Sequence, residues 1–328
     1  MTPTHSSEKA ERQVSEIDEQ PEATTRHPGG ILYHLQTLFL FTKSDFKTVI
    51  FPQTIFTISS VISGIDASKS QCIFEIAKRF PLLVFVLWSH LLLENFSNQR
   101  LPGAVIEDKV NKPWRPIPSG RITPEKTQTI LRFAVLIVIL MDTALGMYVH
   151  SVTAMTMIWL YNDLDGSGGT TLERNLINAV GLAWYGWAGL TVMLGSGQES
   201  SCPLDSQIPY KWIGLMTTVV ITTVHAQDHP DIEGDRQRGR RTIPLIYGQR
   251  VSRWSLATLL VVWSVVCPIF CDPSTLVMWV LPMAIGGTMA FLTLTRWDHD
   301  TNELVWKLWC LWVCILYALP AFSNSPIQ

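Results

Sequence analysis

Charge is scarce in this sequence: Asp, Glu, Lys and Arg make up 16% of its 328 residues, against 47% that are hydrophobic. The basic residues sit in loops and form no folded basic face, so no nucleic-acid partner is expected. The net charge of −2 singles out no other partner. Cysteine is sparse as well. The six (Cys72, Cys202, Cys267, Cys271, Cys310 and Cys314) make no CxxC pair and no Cys/His metal spacing. They mostly lie in or beside apolar runs and read as small core-like residues. A leading apolar segment of the cleaved-signal type is also missing. Residues 1–30 are instead polar, acidic and without periodicity, as in a disordered tail.

What the chain has in quantity is apolar length. Runs near 20 residues match the hydrocarbon thickness of a bilayer at the helical rise. Nine such segments are legible, at about 46–64, 80–97, 128–148, 151–161, 175–195, 210–227, 253–271, 274–294 and 303–322. The fourth is too short to span alone. Lipid offers no partner for free backbone groups, so these segments must be helices. The expectation is an all-α polytopic membrane protein, with the bilayer as partner and one transmembrane domain over residues 31–328. The stretch ILYHLQTLFLFT, residues 31–42, fits an amphipathic helix lying at the interface ahead of the first span.

Nine spans also imply an orientation. The N-terminal segment and the loops after the second, fourth, sixth and eighth spans carry 19 Lys and Arg, and the opposite face carries four. The positive-inside bias then places the N-terminus and the charged loops in the cytosol, with the endoplasmic reticulum as the expected membrane. The sequon Asn95-Phe96-Ser97 falls at the cytosolic end of the second span, where glycosylation is not expected.

Two of the cytosolic loops resemble each other. Residues 107–124 read EDKVNKPWRPIPSGRITP, and residues 227–248 read QDHPDIEGDRQRGRRTIPLIYG. Each follows an apolar helix, opens with acids, runs into bases and ends on a threonine and a proline, which suggests an internal duplication. Pro113, Pro116 and Pro118 stiffen the first loop and limit the entropy lost when a ligand is clamped. If the sixth helix continues through the second loop, Asp228, Asp231 and Asp235 share one face. Carboxylates so placed repel unless a cation lies among them, and hard oxygen ligands suit Mg²⁺. Lys112, Arg115, Arg121, Arg236, Arg240 and Arg241 can hold a phosphate group directly. The combination reads as a Mg²⁺–diphosphate site above an apolar cavity. The plainer reading is a pair of solvated loops with weak surface ion pairs.

The stretches DKVNKPWRPIPSGRIT and DIEGDRQRGRRTIPLIYG resemble the two signature loops of the UbiA superfamily of intramembrane prenyltransferases. The resemblance runs from about residue 45 to 322. It implies a bundle that binds an isoprenyl diphosphate through Mg²⁺ and two aspartate-rich motifs, ionises it, and usually passes the carbocation to an acceptor. Asp231 and Asp235 match the second motif, with Asp228 just before them. Asp108 matches the last acid of the first motif, Lys112 and Arg115 its basic segment, and Arg241 the base before the second loop's threonine.

The first motif departs from the family pattern. Ala104 stands four positions before Asp108 and Arg100 eight before, with Asn98 and Gln99 displaced from where the motif begins. One acid is thus missing, and Glu107 is a candidate to compensate. The segment YNDLDGSGG, residues 161–169, replaces a Lys-Arg pair usual in the family. Its Asp163 is either a replacement metal ligand or part of a solvated turn. In this combination the chain is most similar to a fungal branch that includes membrane-bound sesquiterpene cyclases. The resemblance therefore implies ionisation of farnesyl diphosphate and cyclisation in secondary metabolism, or else prenyl transfer to an aromatic or polyketide acceptor.

Either reaction needs negative charge stabilised on the departing diphosphate, and a dry, electron-rich chamber for the cation. Trp184, Tyr185, Trp187, Trp159 and Tyr161 are candidates for that chamber, and each is equally an ordinary packing residue of a membrane helix. His225 and His229 flank Gln227-Asp228 and could take the final proton, a task the diphosphate can also perform.

Overall fold

The apolar runs become helices because a helix is the one local structure that satisfies every backbone group within the segment. The computed structural model describes residues 29–63, 70–195 and 209–324. In chain order the helices are α1 (Ile31–Thr42), α2 (Phe51–Ser63), α3 (Ser70–Gln99), α4 (Pro102–Asn111), α5 (Pro124–Ala144), α6 (Tyr148–Asn162) and α7 (Thr171–Leu194). They continue with α8 (Tyr210–Thr223), α9 (Ile232–Arg238), α10 (Ile243–Ile246), α11 (Gln249–Cys271), α12 (Leu276–Thr295) and α13 (His299–Ala318). A π-helical turn, Phe46–Ile50, leads into α2. Strand is absent among the described residues apart from one isolated bridge, Pro273 to Ser323. The fold is all-α.

Each of the nine expected segments is helical. Among the described residues six helices are long and apolar enough to cross a bilayer, while α2, α6 and α8 have 13, 15 and 14 residues. The helix expected over 31–42 is present. Most of the expected N-terminal tail, Cys202, and the side chain of Cys72 lie outside the described residues. Cys267, Cys271 and Cys310 are buried and Cys314 half-buried, all four as free thiols. Asn95 of the sequon is buried, with its amide donated to the Leu91 carbonyl at 3.0 Å.

Local chemistry fixes the ends. Thr123 caps α5 by accepting from the Lys126 N–H, with Pro124 in the first turn, where its missing N–H costs nothing. Thr170 and Glu173 form a reciprocal capping box at the start of α7. Within Thr37–Gln328, one compact unit, α2 packs against α7 and α13, α3 against α5 and α7, and α11 against α12. Small residues let the backbones approach. A Cβ on Gly189 of α7 would come 2.3 Å from Thr57 Oγ1 of α2, and one on Gly286 of α12 would come 2.0 Å from Ser264 Oγ of α11. Trp309 and Trp312 of α13 are fully buried yet satisfied, donating to Thr223 at 3.0 Å and Ser264 at 2.9 Å.

The second charged loop does not meet the condition of a continuous helix. After α8 the chain tightens into a 3₁₀ turn, Val224–Asp228, and restarts as α9 with Asp231 at its N-cap. Pro230 contributes by lacking the N–H that would extend the helical ladder, while Asp231 leaves helical angles at φ −95°, ψ 3°. The first loop also differs from a plain loop, since it opens with the ten-residue helix α4.

Candidate active site

The two charged loops meet. Asn111, the last residue of α4, donates its amide to the Asp231 carbonyl at 3.2 Å and accepts the Gly234 N–H at 3.2 Å. Only glycine permits this approach, because a Cβ at position 234 would lie 2.3 Å from the Asn111 amide. Lys112 reaches Asp231 at 3.3 Å. Arg238 and Arg240 both grip Glu107, at 2.9 and 3.2 Å, and Arg240 also reaches Asp235 at 3.4 Å. Arg238 further donates to Ser167 at 2.9 Å, which ties in the glycine-rich segment after α6. The resulting electrostatics are uneven. Burial would raise the Glu107 carboxyl, but the Arg240 and Arg238 guanidiniums outweigh it and hold the group below its ordinary value. Burial pushes the Asp235 carboxyl up to about 7, with Arg240 only partly offsetting it.

Beneath this interlock lies a cavity of about 790 Å³, within the range of ligand pockets. Asp228, Asp231, Asp235, Lys112, Arg115 and Arg240 line its charged end. Leu91, Met157, Leu182, Trp184 and Tyr185 line its apolar part. Of the aromatic candidates, Tyr161 joins Trp184 and Tyr185 on the wall. Trp187 instead stacks on His150 at 3.8 Å, and Trp159 is 54% exposed.

The structure gathers some of the expected site residues and not others. Asp108 is buried behind the cavity wall, gripped through both oxygens by Arg115 at 2.8 and 3.0 Å. Burial raises its carboxyl despite that partner. Glu107 reaches the wall but is spent on two arginines. Arg121, Arg236, Arg241 and Asp163 do not line the cavity. Arg236 pairs with Glu233 on the surface, Arg121 donates to Thr37, and Asp163 pairs with Arg100 at 2.5 Å. His225 and His229 face serines of α11, at 3.5 and 3.2 Å, away from the cavity.

Several wall residues escaped the sequence reading. Arg174, in the first turn of α7, pairs with Asp228 and buries it. Asp45 lies 3.8 Å from Arg115. Glu94 of α3 lines the cavity one turn before Asn98. Its signal was available, since an acid inside an apolar run marks a functional position by default.

The UbiA prenyltransferase family profile matches residues 79–316. The chain belongs to that family. As a member it is an integral membrane enzyme that acts on an isoprenyl diphosphate. The chain is 34% identical to the fumagillin beta-trans-bergamotene synthase of Aspergillus fumigatus, over 70% of this chain and 73% of that one. It is 26% identical to the diterpene cyclase eriG of Hericium erinaceus, over 86% and 87%. The fold matches that of a UbiA homolog from Archaeoglobus fulgidus bound to GPP and Mg²⁺, with a TM-score of 0.58 and 13% identity over 86% of this chain and 99% of that one.

The cavity's charged end is chemically suited to such an ion. Its acidic donors are all hard oxygens, and Asp228 Oδ2 is buried with no hydrogen-bond partner. No three acids or histidines among the described residues converge tightly enough to hold a metal alone. Mg²⁺ does not need that, because it takes one or two carboxylates and completes its shell with water and phosphate oxygens.

Proposed function

We propose that this enzyme is a Mg²⁺-dependent membrane terpene cyclase that converts farnesyl diphosphate into a cyclic sesquiterpene of secondary metabolism. The observation that carries the reading is a cavity whose wall joins the charged loop residues to apolar and aromatic side chains of the helices. A diphosphate fits the first and a folded hydrocarbon chain the second. The names of two similar relatives, a synthase and a cyclase, support the same choice. Asp228, Asp231 and Asp235 would hold Mg²⁺, which when bound offsets the charge that develops on the departing diphosphate. Lys112, Arg115 and Arg240 orient the diphosphate and stabilise it as the C–O bond breaks. Trp184, Tyr185 and Tyr161 face the cation that remains, and the interlocked loops keep water from it. The charged loops and the N-terminus face the cytosol, in keeping with the excess of Lys and Arg there, and the membrane is that of the endoplasmic reticulum.

A second reading, prenyl transfer to an aromatic or polyketide acceptor, draws support from 26% identity to the polyprenyl transferase eriF of Hericium erinaceus over 85% of this chain. One experiment separates the two. Membranes carrying the enzyme are given farnesyl diphosphate and Mg²⁺ without acceptor, and the products are read by gas chromatography. A cyclic hydrocarbon is expected; farnesol alone, or no turnover, would transfer the case to the second reading.

A further inference from the structure

Most acids on the cavity wall answer to a base: Asp45 and Arg115, Glu107 with Arg238 and Arg240, Asp228 with Arg174, Asp231 with Lys112, and Asp235 with Arg240. Glu233 and Glu303 pair with Arg236 and Lys307. Glu94 differs. It is the one wall carboxylate with no basic partner among the described residues, and it is held by amides. Asn162 donates to both its oxygens, at 3.1 and 3.3 Å, and Asn98 in turn donates to the Asn162 carbonyl at 2.8 Å. This chain of amides fixes where the carboxylate points without neutralising it. One turn along α3, His90 also lines the cavity, but both its nitrogens are occupied, by the Val86 carbonyl and by Asp142, each at 3.0 Å. Glu94 is thus the proton acceptor left uncommitted beside Leu91, Trp184 and Tyr185.

We propose that Glu94 is the base that ends the reaction, taking a proton from the last carbocation. The proposal rests on the cyclase reading above. Heterolysis of the C–O bond leaves its electron pair on the diphosphate, and the chain's double bonds close the ring or rings. The final cation then loses a proton from a carbon beside the cationic centre. The C–H electron pair becomes the new double bond, and the proton forms the Glu94 carboxylic acid. That acid is reset by giving its proton to water once the product has left. The amide clamp makes the choice of proton a matter of geometry, so Glu94 also determines which olefin is formed.

The test compares wild type with Glu94→Gln and Glu94→Asp in membranes supplied with farnesyl diphosphate and Mg²⁺. Diphosphate release and product profile are measured separately. Glu94→Gln should cut the wild-type olefin by about 100-fold, the usual worth of a positioned base, while diphosphate release falls much less. Isomeric olefins or a water-quenched alcohol should take the olefin's place. Glu94→Asp, a carboxylate on a shorter stem, should restore part of the wild-type olefin. An unchanged olefin profile in Glu94→Gln would overturn the assignment and leave the cyclase reading standing. Loss of diphosphate release in both variants, with the proteins folded by gel filtration, would also overturn it, since the carboxylate would then act on ionisation. If wild type itself made no cyclic olefin, the cyclase reading would fall first.

Discussion

The two charged loops look alike in sequence and do different work. The loop after α8 turns Asp228, Asp231 and Asp235 toward the cavity. The loop after α3 commits its acids to arginines: Asp108, off the wall, aims Arg115, and Glu107, on the wall, clamps Arg238 and Arg240. The first loop therefore supplies Lys112 and Arg115 to the wall, and the second supplies Arg240 and the three aspartates. A repeated pattern of acids and bases records what charges are present, not which of them face a ligand. The pairing decides that, and the missing acid at Ala104 fits a motif whose remaining acids serve arginines.

This division of labour can be broken in graded steps. The largest effect belongs to Asp231→Ala and Asp235→Ala, each expected to lower turnover by about 100- to 1,000-fold through lost compensation of the diphosphate. Expression and extraction should be little changed, and EDTA should mimic both. Either variant keeping more than about a tenth of wild-type activity would count against the second loop as metal holder. Next comes Glu107→Gln, which leaves the Arg238 guanidinium without its anion and Arg240 with Asp235 alone. It should cost about 3 kcal/mol of stability, seen as a lower unfolding midpoint in detergent. An unshifted midpoint would mean the loops are held by Asn111 and Lys112 without help from Glu107. Asp108→Asn is expected to be milder on catalysis, about tenfold and mostly in KM, because Arg115 loses its aim but stays charged. If it proves as damaging as Asp231→Ala, the two loops share the cation after all. The smallest effect is expected for Asp163→Asn, within about twofold of wild type, since a partly exposed pair contributes only about 0–1 kcal/mol. A severe loss there would restore the segment after α6 as a source of ligands.

The helices were legible because an apolar run of membrane length has only one way to satisfy its backbone. Most ends fall near the expected bounds, but the segment expected from 80 begins at Ser70, and the caps Thr123 and Thr170 precede the expected starts at 128 and 175. The acids and bases of the loops were legible as a set. Their partners were not, because the ties joining Asp228 to Arg174 and Glu107 to Arg238 span 54 and 131 residues. Glu94 was hidden for a different reason: averaging over an apolar run dilutes one acid among its neighbours. The condition that would put Asp228 and Asp235 on one continuous helix is not met, since a 3₁₀ turn over Val224–Asp228 and Pro230 interrupt it. Periodicity finds faces, and proline decides whether the face exists.

The fastening between α4 and α9 also sets a timetable for synthesis. Asn111 emerges from the ribosome 120 residues before Asp231, the carbonyl its amide will bond. At about 5–20 residues per second, that is a wait of roughly ten seconds. Through that interval Glu107, Lys112 and Arg115 must remain in water at the membrane surface, and their charges suit them to it. The nascent enzyme is therefore catalytically silent until its second half has been inserted. A cell making it is spared a half-built site that ionises an isoprenyl diphosphate with nothing to contain the cation.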